Sequence, residues 1–188
     1  MDEVRHLRDA RFGDVAKIAA IHCASWKSAY AGILEQSFLD GPIESDRAAL
    51  WHDRLANPQA LQMVLVAEEA PAQPVGFICA FGEADKNWGS LIDNIHVLPS
   101  RRGKGCGAWM MRNAATQFAF RHPGGGIHLW VFEANDAGLR FYQRLGGEVV
   151  EQDTSRIPAA RGAKVLRLFW PDPSKLLETE IVSGLNGR

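Results

Sequence analysis

Apolar and polar residues change period several times along this chain of 188 residues. Residues 4–8 alternate as an edge strand does. From Asp14 the period lengthens. Val15, Ile18, Ala19 and His22 fall on one stripe, which predicts a helix capped by Asp14 and running to about Tyr30. After Gly32 a second helical stretch lies within residues 34–55, broken near Gly41-Pro42 and ended by Asn57-Pro58. Residues 63–68 and 75–81 read as strands across a proline-rich turn, and a third strand spans 91–98. A helix over about 105–121 follows, stopped by Pro123. The run Pro123-Gly124-Gly125-Gly126 precedes a strand and reads as a flexible turn. A strand at 127–133, a short helix at 136–145 and strands at about 148–157 and 164–170 complete the pattern. The order β-α-α-β-β-β-α-β-α-β-β is that of a mixed, layered α/β fold. One domain is expected over residues 4–171, with a tail at 172–188 that is a short helix or partly disordered.

The most informative stretch joins the third strand to the long helix. Arg101, Arg102 and Lys104 sit among Gly103, Gly105 and Gly107. Glycines bare the backbone N–H groups, the basic residues add charge, and the helix start adds its positive dipole end; together these suit a phosphate or pyrophosphate. A P-loop spacing is absent, and a dinucleotide fingerprint would need glycine where Met110 stands. The spacing that fits is Arg-x-x-Gly-x-Gly at Arg102, Gly105 and Gly107.

A second block runs from Ile127 to Glu151. Asn135 can cap the short helix with its side chain, Ala137, Phe141 and Leu145 share a face, and Gly146 suits the left-handed position that ends a helix.

These two blocks, IHVLPSRRGKGCG and VFEANDAGLRFYQRLGG, resemble the signature motifs of the GNAT superfamily of acetyl-CoA-dependent N-acetyltransferases. The resemblance extends more weakly from about Val4 to Trp170. It implies a mostly antiparallel mixed sheet, helices on both faces, and central strands that splay so that the pantetheine arm of CoA fills the gap. Carried over by position, cofactor binding falls to Ile95, His96, Val97, Arg102, Gly103, Lys104, Gly105, Cys106, Gly107, Ala108, Asn135 and Tyr142. The asparagine would bond the pantetheine, and the tyrosine would lie near its sulfur. The family usually has Gly-Phe after the short helix, whereas this chain has Gly146-Gly147, which weakens a packing contact.

The chemistry implied is direct attack of a primary amine on the thioester in a ternary complex. Tyr142, a phenol of ordinary pKa ~10, can protonate the leaving thiolate. A backbone N–H near residues 95–97 would serve the oxyanion. The position most often acidic in the family holds Leu91, so Asp93, Asn94 and His96 are the nearby alternatives for handling the amine's proton. Asp93 is the candidate catalytic residue. It could bind the substrate ammonium or move its proton through water. Glu83 and Asp85 read as surface charges. The segment Ser25 to Gly32 resembles the SWxxAYxG of one subgroup. Trp26 and Tyr30, four apart on one helix face, could wall the acceptor pocket, with Trp88 or Trp130 opposite. Cys106, at a helix start, should have a lowered thiol pKa, but bound cofactor would cover it. A non-catalytic acyl-CoA sensor with the same fold is the alternative.

Composition narrows the picture. Hydrophobic residues make up 46% and charged residues 23%, with a net charge of −1, typical of a globular protein with no field to gather nucleic acid. Three cysteines without ligand spacing argue for a reducing cytoplasm and no metal. No signal peptide or membrane span is visible. The expected partner is a small-molecule or peptide amine, with a homodimer possible and neither nucleic acid nor membrane involved.

Overall fold

The computed structural model describes residues 6–121 and 125–178. Seven strands form one sheet in the order β1-β2-β3-β4-β5-β7-β6. They are β1 (His6–Asp9), β2 (Gln62–Ala70), β3 (Gln73–Asp85), β4 (Gly89–Val97), β5 (Ile127–Phe132), β6 (Glu148–Thr154) and β7 (Lys164–Trp170). Every neighbouring pair is antiparallel except β4 and β5. The helices are α1 (Val15–Ala29), α2 (Gln36–Asp40), α3 (Ile43–Ala56), α4 (Cys106–Arg121), α5 (Asp136–Arg144) and α6 (Lys175–Glu178). The break expected at Gly41-Pro42 therefore separates two helices. Residues 4 and 5 of the expected first strand, Pro123 and Gly124, and most of the tail lie outside the described residues.

The alternation of the strands divides the core between two layers. On one face Met110, Met111, Ala114, Ala115 and Phe118 of α4 pack on Leu65, Ile78, Ile92, Leu129 and Leu168. On the other, Ile18 and Ile21 of α1 and Trp51 of α3 pack on Val64, Val66, Phe77 and Cys79. A third cluster under α2 joins Trp26, Leu39 and Ile43 to Phe132.

Two features shape the centre of the sheet. β4 and β5 pair only at Ser90–Ile127 and Leu91–His128, so beyond those positions the two strands diverge. Between Cys79–Asn94 and Ala80–Ile92 the β3–β4 register shifts, and Asp93 is the extra residue. A bulge of this kind re-aims side chains and sharpens twist. The divergence leaves the β5-facing edge of β4 open from Ile92 onward, the site where an extended ligand can add main-chain bonds.

Asp14 does not cap α1 as expected. Its carboxylate accepts from Arg11 N at 2.8 Å and from Arg8 Nη1 at 2.7 Å and Nη2 at 2.9 Å, while Arg8 also holds Glu68 at 2.7 Å. A nearby guanidinium on a strand outcompetes the helix's own amides, because a charge-assisted bidentate bond is the stronger one.

Candidate active site

The loop and helix start expected to hold a phosphate follow the open edge of β4 directly. Gly103 and Gly105 have φ of 78° and 80°, the left-handed region that glycine tolerates. A Cβ at either would meet nothing within 4 Å, so both face open space. The first bond of the α4 ladder runs from Trp109 N to Gly105 O at 3.0 Å. The amides of Cys106, Gly107 and Ala108 therefore precede it, as the first-turn amides of any helix do. Gly107 allows α5 to approach, since a Cβ there would lie 3.1 Å from Phe141 Cζ. Lys104 is exposed on the same loop. Arg101 is bound to Glu69.

Cys106 corrects an expectation. Its thiol is buried beneath the loop, and burial, with Glu69 adding to it, pushes its pKa up to about 11. Desolvation outweighs the helix dipole here.

A cleft of about 260 Å³ opens between the loop, α5, α1 and the free edge of β4. Ile95, His96, Val97, Arg102, Gly107, Asn135 and Tyr142 line it, as do Ser25, Tyr30 and Phe141. The two motif blocks thus meet in space, with α5 standing across the gap that diverging β4 and β5 leave. Asn135 accepts from Gly138 N at 3.1 Å through Oδ1, which caps α5 as expected. Tyr142 packs by its ring edge on Phe141 and Trp170, at centroid distances of 5.0 and 6.3 Å. Burial, with Tyr30 adding to it, raises the Tyr142 phenol well above its usual range, so it stays protonated. At Gly147, where the resemblance led to an expected phenylalanine, the space is filled by Trp170. A Cβ there would lie 2.5 Å from Trp170 Cζ2, so glycine admits the indole, which donates to Leu145 O at 2.8 Å.

A second, larger cleft of about 560 Å³ adjoins the first along β4 and β5. Trp26, Tyr30, Asp93, Asn94, His96 and Trp130 line it, with Glu151, Asp153 and Arg167 from β6 and β7. Trp130 thus shares its lining with Trp26 and Tyr30. Trp88 lies elsewhere, against Phe169 at 4.9 Å. Asp93 pairs with Arg54 Nη1 at 2.6 Å and accepts from the Asn94 amide. Trp26 is buried under the Arg47 guanidinium, 4.5 Å from the ring centroid. Tyr30 is held by edge contacts to Trp26 and Phe132, and burial pushes its phenol up to about 12.

Tyr30 and His96 line both clefts and mark their junction. Arg102 reaches across from the loop. It donates to Ser28 Oγ at 2.9 Å, Ser25 Oγ at 3.1 Å and Ser25 O at 3.2 Å. Ser25 Oγ is in turn 2.9 Å from His96 Nδ1. The pattern along the chain gave Ser25, His22, Arg54 and Arg167 no role in the site, because their partners are far away in sequence. Ser25 and His96, for example, are 71 positions apart.

The sequence model of the acetyltransferase (GNAT) family matches residues 25–147, the span that holds every lining residue of the smaller cleft. The chain belongs to that family. Among the relatives of this GNAT protein is the uncharacterized N-acetyltransferase YuaI of Bacillus subtilis. It is 28% identical over 173 residues, 90% of this chain and 95% of the relative. A probable N-acetyltransferase of Mycobacterium tuberculosis is 28% identical over 142 residues, 73% of this chain and 76% of that one. Among solved structures, the PaiA N-acetyltransferase of Thermoplasma acidophilum in complex with coenzyme A superposes with a TM-score of 0.70. It is 19% identical and covers 88% of this chain and 98% of that one, which shows the shared fold. Among the described residues, no three His, Cys, Asp or Glu side chains gather as metal ligands, and no helix is long and apolar enough to cross a membrane.

Proposed function

We propose that this GNAT protein transfers an acetyl group from acetyl-CoA to a primary amine by direct attack on the thioester. The observation that carries the reading is the smaller cleft, where an open strand edge, a glycine-rich helix start and Tyr142 converge. The fit to acyl-CoA follows from that surface. The amides of residues 103–108 would hold the pyrophosphate, the free edge of β4 at Ile95 and Val97 would bond the pantetheine amides, and Asn135 would add a side-chain bond. The thioester supplies an activated acyl group, so no covalent enzyme intermediate is needed.

The protein's own residues then position and move protons. The amine enters from the larger cleft, between Trp26, Tyr30 and Trp130. Asp93 receives its proton through water, with Arg54 fixing the carboxylate. Tyr142 gives its proton to the departing thiolate. Its raised pKa keeps the phenol protonated at neutral pH, so its O–H stands ready to donate to the sulfur as charge develops there, and water reprotonates the phenolate to complete the transfer.

Thermal unfolding with acetyl-CoA, CoA or ATP tests the donor. A ligand specific to the folded state adds about 2.7 kcal/mol at a hundredfold excess over Kd. Stabilisation by acetyl-CoA and CoA but not ATP is expected; no shift with millimolar CoA ligands would sink the reading. Thiol release across a panel of amines then identifies the acceptor.

A further inference from the structure

The junction of the two clefts holds a side chain whose chemistry its neighbours dictate. Arg102 carries only donors, so its Nη2 contact at 3.1 Å makes Ser25 Oγ an acceptor. Ser25 is 4% exposed, and its hydroxyl proton has one acceptor at hand, His96 Nδ1 at 2.9 Å. The opposite arrangement, Nδ1–H donating to the serine, would leave a buried hydroxyl proton unbonded, which is costly. The network therefore assigns His96 an accepting Nδ1 and a protonated Nε2. The ring is stacked on His22 with centroids 4.4 Å apart and tilted against Phe77 at 5.4 Å, so it cannot swing freely. Among the described residues, Nε2 has no protein hydrogen bond, and it is not among the buried polar atoms that lack one. It is thus open to the clefts that His96 lines.

We propose that His96 is a catalytic residue of the acetyl transfer, donating a hydrogen bond from Nε2–H to the acyl oxygen as negative charge develops there. The inference rests on the proposed acetyltransferase reaction. In that step the amine nitrogen bonds to the carbonyl carbon, and the C=O π pair moves onto oxygen, opposite Nε2–H. The pair returns as the C–S bond breaks. Sulfur leaves with the bonding electrons and takes the Tyr142 proton. The nitrogen's proton passes through water to Asp93, and water restores the phenol. His96 moves no proton, so it is not the general base. A neutral imidazole suits this task. Burial, with the charge of Arg102 adding to it, lowers the His96 pKa to about 3, so the ring keeps one N–H across the working pH range. A neutral histidine donor to a developing oxyanion is a known catalytic device in an unrelated isomerase. Ser25 is a positioning residue, acting through the tautomer.

The test combines side-chain 1H–15N correlation spectra of the full chain with CoA release from acetyl-CoA, using water or an amine as acceptor. His96→Gln identifies the His96 signals. The expected wild-type pattern is a single Nε2–H tautomer that does not titrate between pH 5 and 8, while Ser25→Ala shows both tautomers. His96→Ala should lower kcat on the order of 10²-fold or more with little change in KM for acetyl-CoA. His96→Gln, whose amide can also donate, should recover part of that loss. An Nδ1–H tautomer, a ring titrating near its ordinary pKa, or wild-type kcat in His96→Ala would overturn the proposal. Acetyl-CoA binding, read by thermal shift in wild type and variants, separates this failure from failure of the acetyltransferase reading. If wild type binds no acetyl-CoA, that reading falls, and the proposal with it.

Discussion

Single groups at the cleft carry charge states set by what surrounds them. Tyr142 has a ring fixed by Phe141 and Trp170 and a phenol raised by burial. Tyr142→Phe keeps the packing and removes the proton. It should lower kcat about 10²-fold while leaving the CoA thermal shift intact. An acyl-CoA sensor would show the shift in both forms and turnover in neither. The stacked pair His22 and His96 leads to a second prediction. His22 is fully buried and accepts from Trp51 Nε1 at 3.0 Å, and burial holds its pKa well below 6.5. His96 is lowered to about 3 by the same cause. Below pH ~6.5 the unfolded chain binds protons that the folded chain refuses, so stability is fully present above that pH and falls as pH drops from 6.5 towards 3. Urea titrations at pH 7 and pH 5 should show the loss, and His96→Gln should reduce it. Equal stability at the two pH values in wild type would refute the neutral, buried assignment.

At the scale of elements, the site depends on a loop whose left-handed backbone favours glycine. Gly105 has a φ of 80° but an open Cβ direction, so alanine there is strained without a clash. The cost to the fold should be modest, about 1 kcal/mol. The greater effect should be on the ligand, since relaxing the strain turns the amides of the loop and α4 away from the phosphate. Calorimetry should find Gly105→Ala binding CoA at least ~10-fold more weakly, with a midpoint temperature only a few degrees lower. Unchanged affinity would mean that the phosphates bind elsewhere. The β4 bulge works in the same way. One extra residue sends Asp93 towards Arg54 and the larger cleft, while Ile92 and Ile95 stay with the α4 layer.

For the whole molecule, the start of the segment after residue 171 packs on the core. Helix α6 brings Leu176 to full burial against the α4 layer, and Leu176 O accepts from Arg112 Nε at 3.2 Å. Leu176→Ala should cost about 2–5 kcal/mol, as other buried leucine truncations do. Urea unfolding should show a lower midpoint at unchanged slope. A change under ~0.5 kcal/mol would mean that this helix is not part of the cooperative core. The clefts depend on the same global arrangement. α1 and α3 cover one face, α4 the other, and the diverging centre of the sheet places the first motif block opposite the second.

The local pattern determined much of this. Strand and helix periods, the Asn135 cap, the glycine stops and the Arg-x-x-Gly-x-Gly loop are short-range features. Their causes are backbone sterics and neighbours within one turn, so they are legible in sequence. The resemblance to GNAT motifs extended that reading to the residues of the smaller cleft. Tertiary structure decided what depends on distant partners. Asp14 serves Arg8 instead of capping α1, because β1 lies alongside. Cys106 is raised, not lowered, because the core closes over it. The tautomer of His96 follows from a serine on α1 and an arginine of the loop, which become neighbours only when the chain folds. Hydrogen bonds and desolvation act over a few ångströms of space, whatever the separation along the chain, so no window of sequence contains them.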